Sequence, residues 1–400
     1  MSDTQRPLPL AGVRVLDLSR VLAGPWAGQL LADYGAEVIK VERPGAGDDT
    51  RDWGPPYTSA GHAAYFDSCN RGKRSIAVDI TKPEGADLIR RIAGESDIVL
   101  ENFKTGGLAK YGLDYEGLKA INPKLVYCSI TGFGQTGPLA ERPGYDYIIQ
   151  AMGGMMSITG KPDEEPGGEP MRVGVAVADL FTGMYAATAV LASLRQAEAT
   201  GEGRHIDLAL LDTMLAVLGN QATGYFATDK SPGRIGNAHP YIVPYQVFPT
   251  ADGHIVIAVG NDGQFKTYAA AIGAPELSAD ERFAKNGRRV ENRDVLVPML
   301  TDLMRAKTTS EWATIFEDAG VPHGPINDVG DALYQPQAQA RGAVITHDDG
   351  RRTVAPPVRF GPTEHFTAPP TVGQHTDEVL KSVGLSADDV AALKNKGILQ

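Results

Sequence analysis

Val13-Arg-Val-Leu-Asp-Leu18, then Glu37-Val-Ile-Lys-Val-Glu42, is the stretch whose reading decides the fold. Both runs are short and aliphatic, as in strands buried on both faces. Between them, residues 26–34 carry Leu30, Leu31 and Tyr34 at helical spacing, which predicts a helix turning those three inward. Two further runs, Asp97-Ile-Val-Leu-Glu101 and Leu125-Val-Tyr-Cys-Ser-Ile130, extend the series, with a helix expected over residues 84–92. Strands alternating with helices predict an α/β fold with a parallel, doubly wound sheet. Its ligands belong at the carboxyl ends of the strands. No GxGxxG follows the first strand and no Walker A sequence occurs, so a dinucleotide or nucleoside triphosphate site of the usual kind is not expected.

Beyond residue 200 the character changes. Thr200-Gly-Glu-Gly203 is a turn, and the largely apolar Arg204-His-Ile-Asp-Leu-Ala-Leu-Leu211 leads into a helix through Gly219. Ile242-Val-Pro-Tyr-Gln-Val-Phe248, the turn Thr250-Ala-Asp-Gly253 and His254-Ile-Val-Ile-Ala-Val259 predict a hairpin. Helices are expected over 264–272, 293–304 and 310–319, making this block a smaller α+β domain. A loop over 368–376 precedes a last helix near 377–382.

The chain of 400 residues is long enough for two or three domains. Its net charge of −11 argues against nucleic acid or anionic lipid as a partner, so an anionic ligand needs a local cluster of cations. Two cysteines, Cys69 and Cys128, suit a reducing compartment, and the polar N-terminus and the lack of a bilayer-length apolar run point to the cytoplasm. The histidines (62, 205, 239, 254, 323, 347, 365 and 375) show no HExxH or paired spacing, so no metal site is expected. No GxSxG elbow is present.

One carboxylate stands out. Asp179 lies in the otherwise apolar Val173-Gly-Val-Ala-Val-Ala-Asp179-Leu-Phe-Thr-Gly183, before a helical pattern of Leu180, Met184, Ala187, Leu191 and Leu194 that runs to about Arg195. At a helix N-terminus it can serve as an N-cap, although Thr182 three residues on gives no capping box. The same backbone donors could instead stabilise an oxyanion beside a reactive carboxylate. The residues alone leave both roles open. Short basic or amide-bearing loops also cluster near the early strands: Arg43 before Pro44-Gly-Ala-Gly47, Asn70-Arg-Gly-Lys-Arg74, and Asn102-Phe-Lys-Thr-Gly-Gly107 with Lys110 beyond. Singly each reads as a solvated loop; together they suggest an anion cleft, with arginine suited to phosphate.

Leu10-Ala-Gly-Val-Arg-Val-Leu-Asp-Leu-Ser-Arg-Val-Leu-Ala-Gly-Pro25, the run from Gly35 to Glu42, Asn70 to Asp79, Glu101-Asn-Phe103, Gly132-Phe-Gly134 and Gly174 to Gly183 occur in an order that resembles the class III CoA-transferases. That family also contains formyl-CoA transferase, the carnitine CoA-transferases and α-methylacyl-CoA racemase. The resemblance runs from about residue 7 to 376. It implies a large Rossmann-like domain from both chain ends (residues 1–220 and 329–400), a small domain (221–328) and an interlocked, ring-like homodimer. It implies CoA and acyl-CoA as substrates, with no permanently bound cofactor. It makes Asp179 the nucleophile, forming an aspartyl anhydride and then an aspartyl-CoA thioester, with the helix N-terminus keeping the carboxyl ionised. CoA contacts fall on Val21, Ala23, Arg43, Asn70, Arg71, Lys73, Asn102, Phe103, Lys110, Tyr145 and Asp146. Lys110 stands where formyl-CoA transferase has arginine, and Phe103 is open between core and contact.

Two departures narrow this. Tyr145, in Gly144-Tyr-Asp146, stands where the racemase has its histidine, and a phenol is a poor proton carrier at neutral pH. Gly236-Asn-Ala-His-Pro240 replaces the glycine run of formyl-CoA transferase, which speaks against oxalate. Residues 236–246, 260–265 and 320–326 resemble the succinyl-CoA:dicarboxylate branch, including glutarate CoA-transferase. His239, Arg172 and Arg234 are the candidates for gripping the acceptor's second carboxylate. An acyl-CoA racemase and a non-catalytic CoA-binding homologue are the alternatives.

Overall fold

The computed structural model describes residues 7–58, 61–360 and 366–400; His365 lies outside them. Six parallel strands form one sheet in the order β3-β2-β1-β4-β5-β6. They are β1 Arg14–Asp17, β2 Glu37–Glu42, β3 Lys73–Ala77, β4 Ile98–Glu101, β5 Val126–Thr131 and β6 His205–Ala209. The order reverses between β1 and β4, so the loops leaving these strands diverge and open a crevice at their carboxyl ends.

Successive side chains explain why the strands read as unbroken apolar runs. Val15, Val38, Ile98, Leu100 and Val126 face one side, against the helices Ala23–Asp33 and Val177–Thr200. Leu16, Ile39, Val99 and Tyr127 face the other, beneath Leu88, Ile89 and Ile92 of the helix Pro83–Gly94. Both faces are buried, so there is no polar alternation to see. Of the three positions expected to face inward on the first helix, Leu31 is buried while Leu30 and Tyr34 keep partial exposure.

The helix Val177–Thr200 outruns its expected end and stops where Gly201 turns left-handed at φ 78°. By length and composition it is apolar enough to cross a membrane, which corrects the sequence expectation. Half of its apolar window is buried, with Ala178, Ala186 and Val190 sealed in the core. Met184, expected on the apolar stripe, is exposed.

The described contacts divide the chain into two units. The first comprises Met1–Met155, Val173–Thr228 and Gln339–Gln400; the second comprises Met156–Arg172 and Asp229–Ala338. These boundaries differ from 220 and 328, and the excursion at 156–172, which carries the Pro/Gly/acid-rich run 161–170, was not separated from its flanks in the sequence. In the first unit the C-terminal segment lies along β3, where Asp79 N–H donates to Ile398 O at 2.9 Å. The second unit has its own core around Phe248, Ile257, Phe265, Trp312 and Phe316. Its antiparallel sheet contains β7 Tyr245–Pro249, β8 His254–Ala258 and β9 His323–Pro325.

Candidate active site

Two cavities lie at the carboxyl ends of the strands in the first unit. The larger, about 670 Å³, is bounded by Val41, Arg43, Ile80, Lys110 and Tyr111. The smaller, about 240 Å³, holds Asp179 together with Val21, Ala23, Asn102, Tyr145 and Asp146. Arg20, Phe103 and Lys104 border both, so the two form one groove.

The loops at the switch point are tied to each other by the Asn102 side chain. Arg20 N–H donates to Asn102 Oδ1 at 2.9 Å, and Asn102 Nδ2 returns a bond to Arg20 O at 2.6 Å. The Arg20 guanidinium lies 5.1 Å from the Phe103 ring centre and 3.5 Å from the Asp49 carboxylate. Val21 has φ 71°, a costly conformation for a β-branched residue. Its N–H points to the Asp48 carboxylate at 3.3 Å, and Asp48 in turn is held by the buried Lys40 ammonium at 2.8 Å. Burial works to raise the Asp48 carboxyl, but the Lys40 charge and the donors of Lys40 and Thr50 outweigh it and hold it at about 2.

Asp179 is the third residue of its helix, not the N-cap; Ala176 occupies that position without a side-chain bond. The capping is done from elsewhere. Asp146, first residue of the helix Asp146–Met152, accepts the Ala178 N–H at 2.8 Å and a bond from Gln150 at 2.7 Å. No strand precedes the helix; residues 173–176 are irregular, with Val173 N–H held by Gln150 at 2.9 Å. Burial, and then the Asp146 charge, push the Asp179 carboxyl up to about 7. The expectation that helix donors keep it fully ionised is therefore corrected: Asp146 takes one of those donors and adds a like charge.

Two close approaches build this arrangement. A Cβ on Gly183 would lie 2.7 Å from Ala23 O, so glycine lets the helix carrying Asp179 cross against the loop carrying Val21. A Cβ on Gly144 would lie 2.4 Å from the Gly132 Cα, which brings Tyr145 and Asp146 in beside β5. A partly ionised carboxyl at the end of a cation-bordered groove can attack an acyl group delivered by an anionic carrier lying along it.

A family model described as CoA-transferase family III matches residues 10–376. The chain belongs to this family. It is 50% identical over 386 residues to the succinate–glutarate CoA-transferase of Agrobacterium fabrum, covering 94% of this chain and 96% of that protein. It is 45% identical over 396 residues to the human succinyl-CoA:glutarate CoA-transferase, covering 98% and 89%. A crystal structure of a CAIB/BAIF family protein from Brucella suis superposes with a TM-score of 0.83 at 49% identity, covering 94% of this chain and all of that one. The protein is thus an enzyme of the CoA-transferase class, acting on CoA thioesters.

The structure sorts the CoA-transferase residues expected from the sequence into three groups. Val21, Ala23, Arg43, Asn102, Phe103, Lys110, Tyr145 and Asp146 border the groove with Asp179. Asn70, Arg71 and Lys73 do not border it. Arg71 is spent on a buried fork with Asp33, its Nε at 2.9 Å and Nη2 at 2.5 Å, and Lys73 binds Asp17 at 2.9 Å and Pro25 O at 2.8 Å. Asn70 is sealed in the interior, its amide on Phe66 O. The expected acceptor residues all lie in the second unit. Arg234 is ion-paired with Asp163 and bonded to Lys161 O. The His239 ring accepts the Tyr241 N–H at 3.1 Å, and burial, then Arg293, keep its basicity below normal. Arg172 is exposed and already engaged by a partner.

Arg20, directly before Val21, borders the groove without having been assigned a contact from the sequence, and Lys104 does so from within the basic loop 102–107. Tyr65, whose phenol is pushed up to about 12 by burial and next by Asp179, stands near the nucleophile with no signal in the sequence.

Proposed function

We propose that this enzyme moves CoA from succinyl-CoA to a short dicarboxylate such as glutarate, with Asp179 as nucleophile. The observation that carries the reading is that the Asp179 cavity adjoins the larger crevice at Arg20, Phe103 and Lys104. CoA laid along the crevice meets Arg43, Lys104 and Lys110 with its phosphates and brings its thioester to Asp179. A carboxylate oxygen of Asp179 attacks the thioester carbonyl, the C–S bond breaks, and CoA thiolate leaves an aspartyl–succinyl anhydride. The thiolate then attacks the aspartyl carbonyl, releasing succinate and leaving an aspartyl-CoA thioester. The acceptor carboxylate attacks that carbonyl and expels the thiolate, which takes the glutaryl group from the new anhydride and restores Asp179. Each step exchanges one acyl bond for another of similar energy.

The names of the two glutarate relatives support the choice of acids. Tyr145, which stands where the racemase has its histidine, supports transfer over racemisation. A homodimer fits the apolar side chains left open on the first unit, including Phe226 at 76% exposure and Met184 at 51%. The test is mass spectrometry of protein and products after mixing with succinyl-CoA, with and without glutarate. A CoA-mass adduct on the Asp179 peptide and glutaryl-CoA are expected. An undiminished adduct in Asp179→Ala, or equal turnover of butyrate, refutes the nucleophile or the acceptor class respectively.

A further inference from the structure

Glu101 ends β4 at 5% exposure, yet no lysine or arginine ion-pairs with it among the described residues. Its carboxylate instead accepts the Phe103 N–H at 2.8 Å and bonds the Ser129 hydroxyl. Ser129 Oγ in turn meets His205 Nε2 at 2.9 Å, and that ring stacks on Tyr115 with centres 5.1 Å apart. Burial pushes the Glu101 carboxyl up to about 7 against the lowering effect of Ser129 and Phe103. A buried carboxyl held this way is costly, and the transfer steps make no use of it. What it does touch is the groove wall. Phe103 borders both cavities and carries the Arg20 guanidinium, while Asn102, between Glu101 and Phe103, clamps the Arg20 peptide on both sides.

We propose that Glu101 is a positioning residue for the CoA substrate: by anchoring the Phe103 backbone it fixes the Asn102–Phe103 corner, and through it Arg20, where the two cavities join. This rests on the groove being the CoA site. The anchor requires an acceptor at the end of a side chain of this length, not a charge. Glutamine meets that requirement, since its Oε1 can accept from Phe103 N–H while its amide donates to Ser129 Oγ. Methionine and leucine fill the space without the acceptor.

The experiment measures CoA binding by calorimetry, which needs no turnover, beside steady-state kinetics with succinyl-CoA and glutarate. For Glu101→Met and Glu101→Leu, CoA affinity should fall by roughly tenfold, as for a lost hydrogen bond. KM for succinyl-CoA should rise in step while kcat stays within about threefold. Glu101→Gln should restore affinity to within about threefold of the parent. Removing the buried carboxyl relieves a desolvation cost, and the Leu variant gives the same readout should Met melt early. The proposal is overturned if a folded Met or Leu variant binds CoA as the parent does, if Gln is as weak as Met, or if kcat falls with CoA affinity unchanged. Failure of CoA to bind the parent would instead overturn the reading of the groove.

Discussion

Replacing Asp146 by asparagine tests whether this residue tunes the nucleophile as well as capping its helix. Asparagine keeps an oxygen for the Ala178 N–H and removes the charge. Asp179 stands at about 7 against an ordinary 3.8, with burial the larger cause and Asp146 the smaller. Less than half of that rise belongs to Asp146, so the midpoint should fall by at most about 1.5 pH units, equivalent to about 2 kcal/mol. The assay is the rate of Asp179 adduct formation at subsaturating succinyl-CoA between pH 5.5 and 8.5 (a window set roughly by the reference values). In the parent that rate should rise with pH through about 7, because only the ionised carboxyl attacks. The variant should gain several-fold near pH 6 and nothing near pH 8, roughly as the ionised fractions require. A midpoint that stays in place or moves up refutes the electrostatic coupling.

Asp179 carries a stability signature too. Its folded value lies above its unfolded one, so its contribution is complete below about pH 4 and is lost as pH rises through about 7. Asp179→Asn should therefore melt near the parent at acid pH and gain roughly 1–3 kcal/mol at pH 8, and equal melting at pH 8 counts against a buried, strained carboxylate. Lys104→Ala and Lys110→Ala should each raise KM for succinyl-CoA by roughly tenfold at low salt, less at high salt, with the glutarate KM little changed; matched effects on both substrates refute their place on the CoA phosphates. Arg71→Ala should behave differently, losing about 3–5 kcal/mol in denaturant unfolding because Asp33 is left buried and unpaired. Its CoA KM should stay near the parent value, and a large rise there with full stability would return Arg71 to the binding site.

The sheet was legible because its strands are buried on both faces. Val38 and Ile39 point to opposite cores, so β2 appears as one apolar run and its bounds match the reading from sequence. β3 hid for the opposite reason. It begins with Lys73 and Arg74, and only the fold supplies Asp17 and Glu37 as their partners. The run 161–170, rich in Pro, Gly and Glu, marks a loop, but its assignment to the second unit was not legible, since composition does not tell a loop that stays from one that crosses.

Charge at a strand end was a weaker guide than position relative to the switch point. Arg71, Lys73, Arg43 and Lys110 look alike in a sequence, each a cation in or beside a short loop. Arg71 precedes β3 and Lys73 begins it, and both turn inward to buried partners: Asp33 takes Arg71, and Asp17, the last residue of β1, takes Lys73. Arg43 follows β2 at its carboxyl end, and Lys110 lies beyond β4 on the same side, where the groove opens. Asp146 and Asp179 follow the same logic. The one that caps the helix is thirty-odd residues away in sequence, and that frees the one inside the helix to stand in the cavity as the reactive group. Sequence placed the carboxylate at the right helix end; only the packing of Gly132 on Gly144 assigns the two acids their separate tasks.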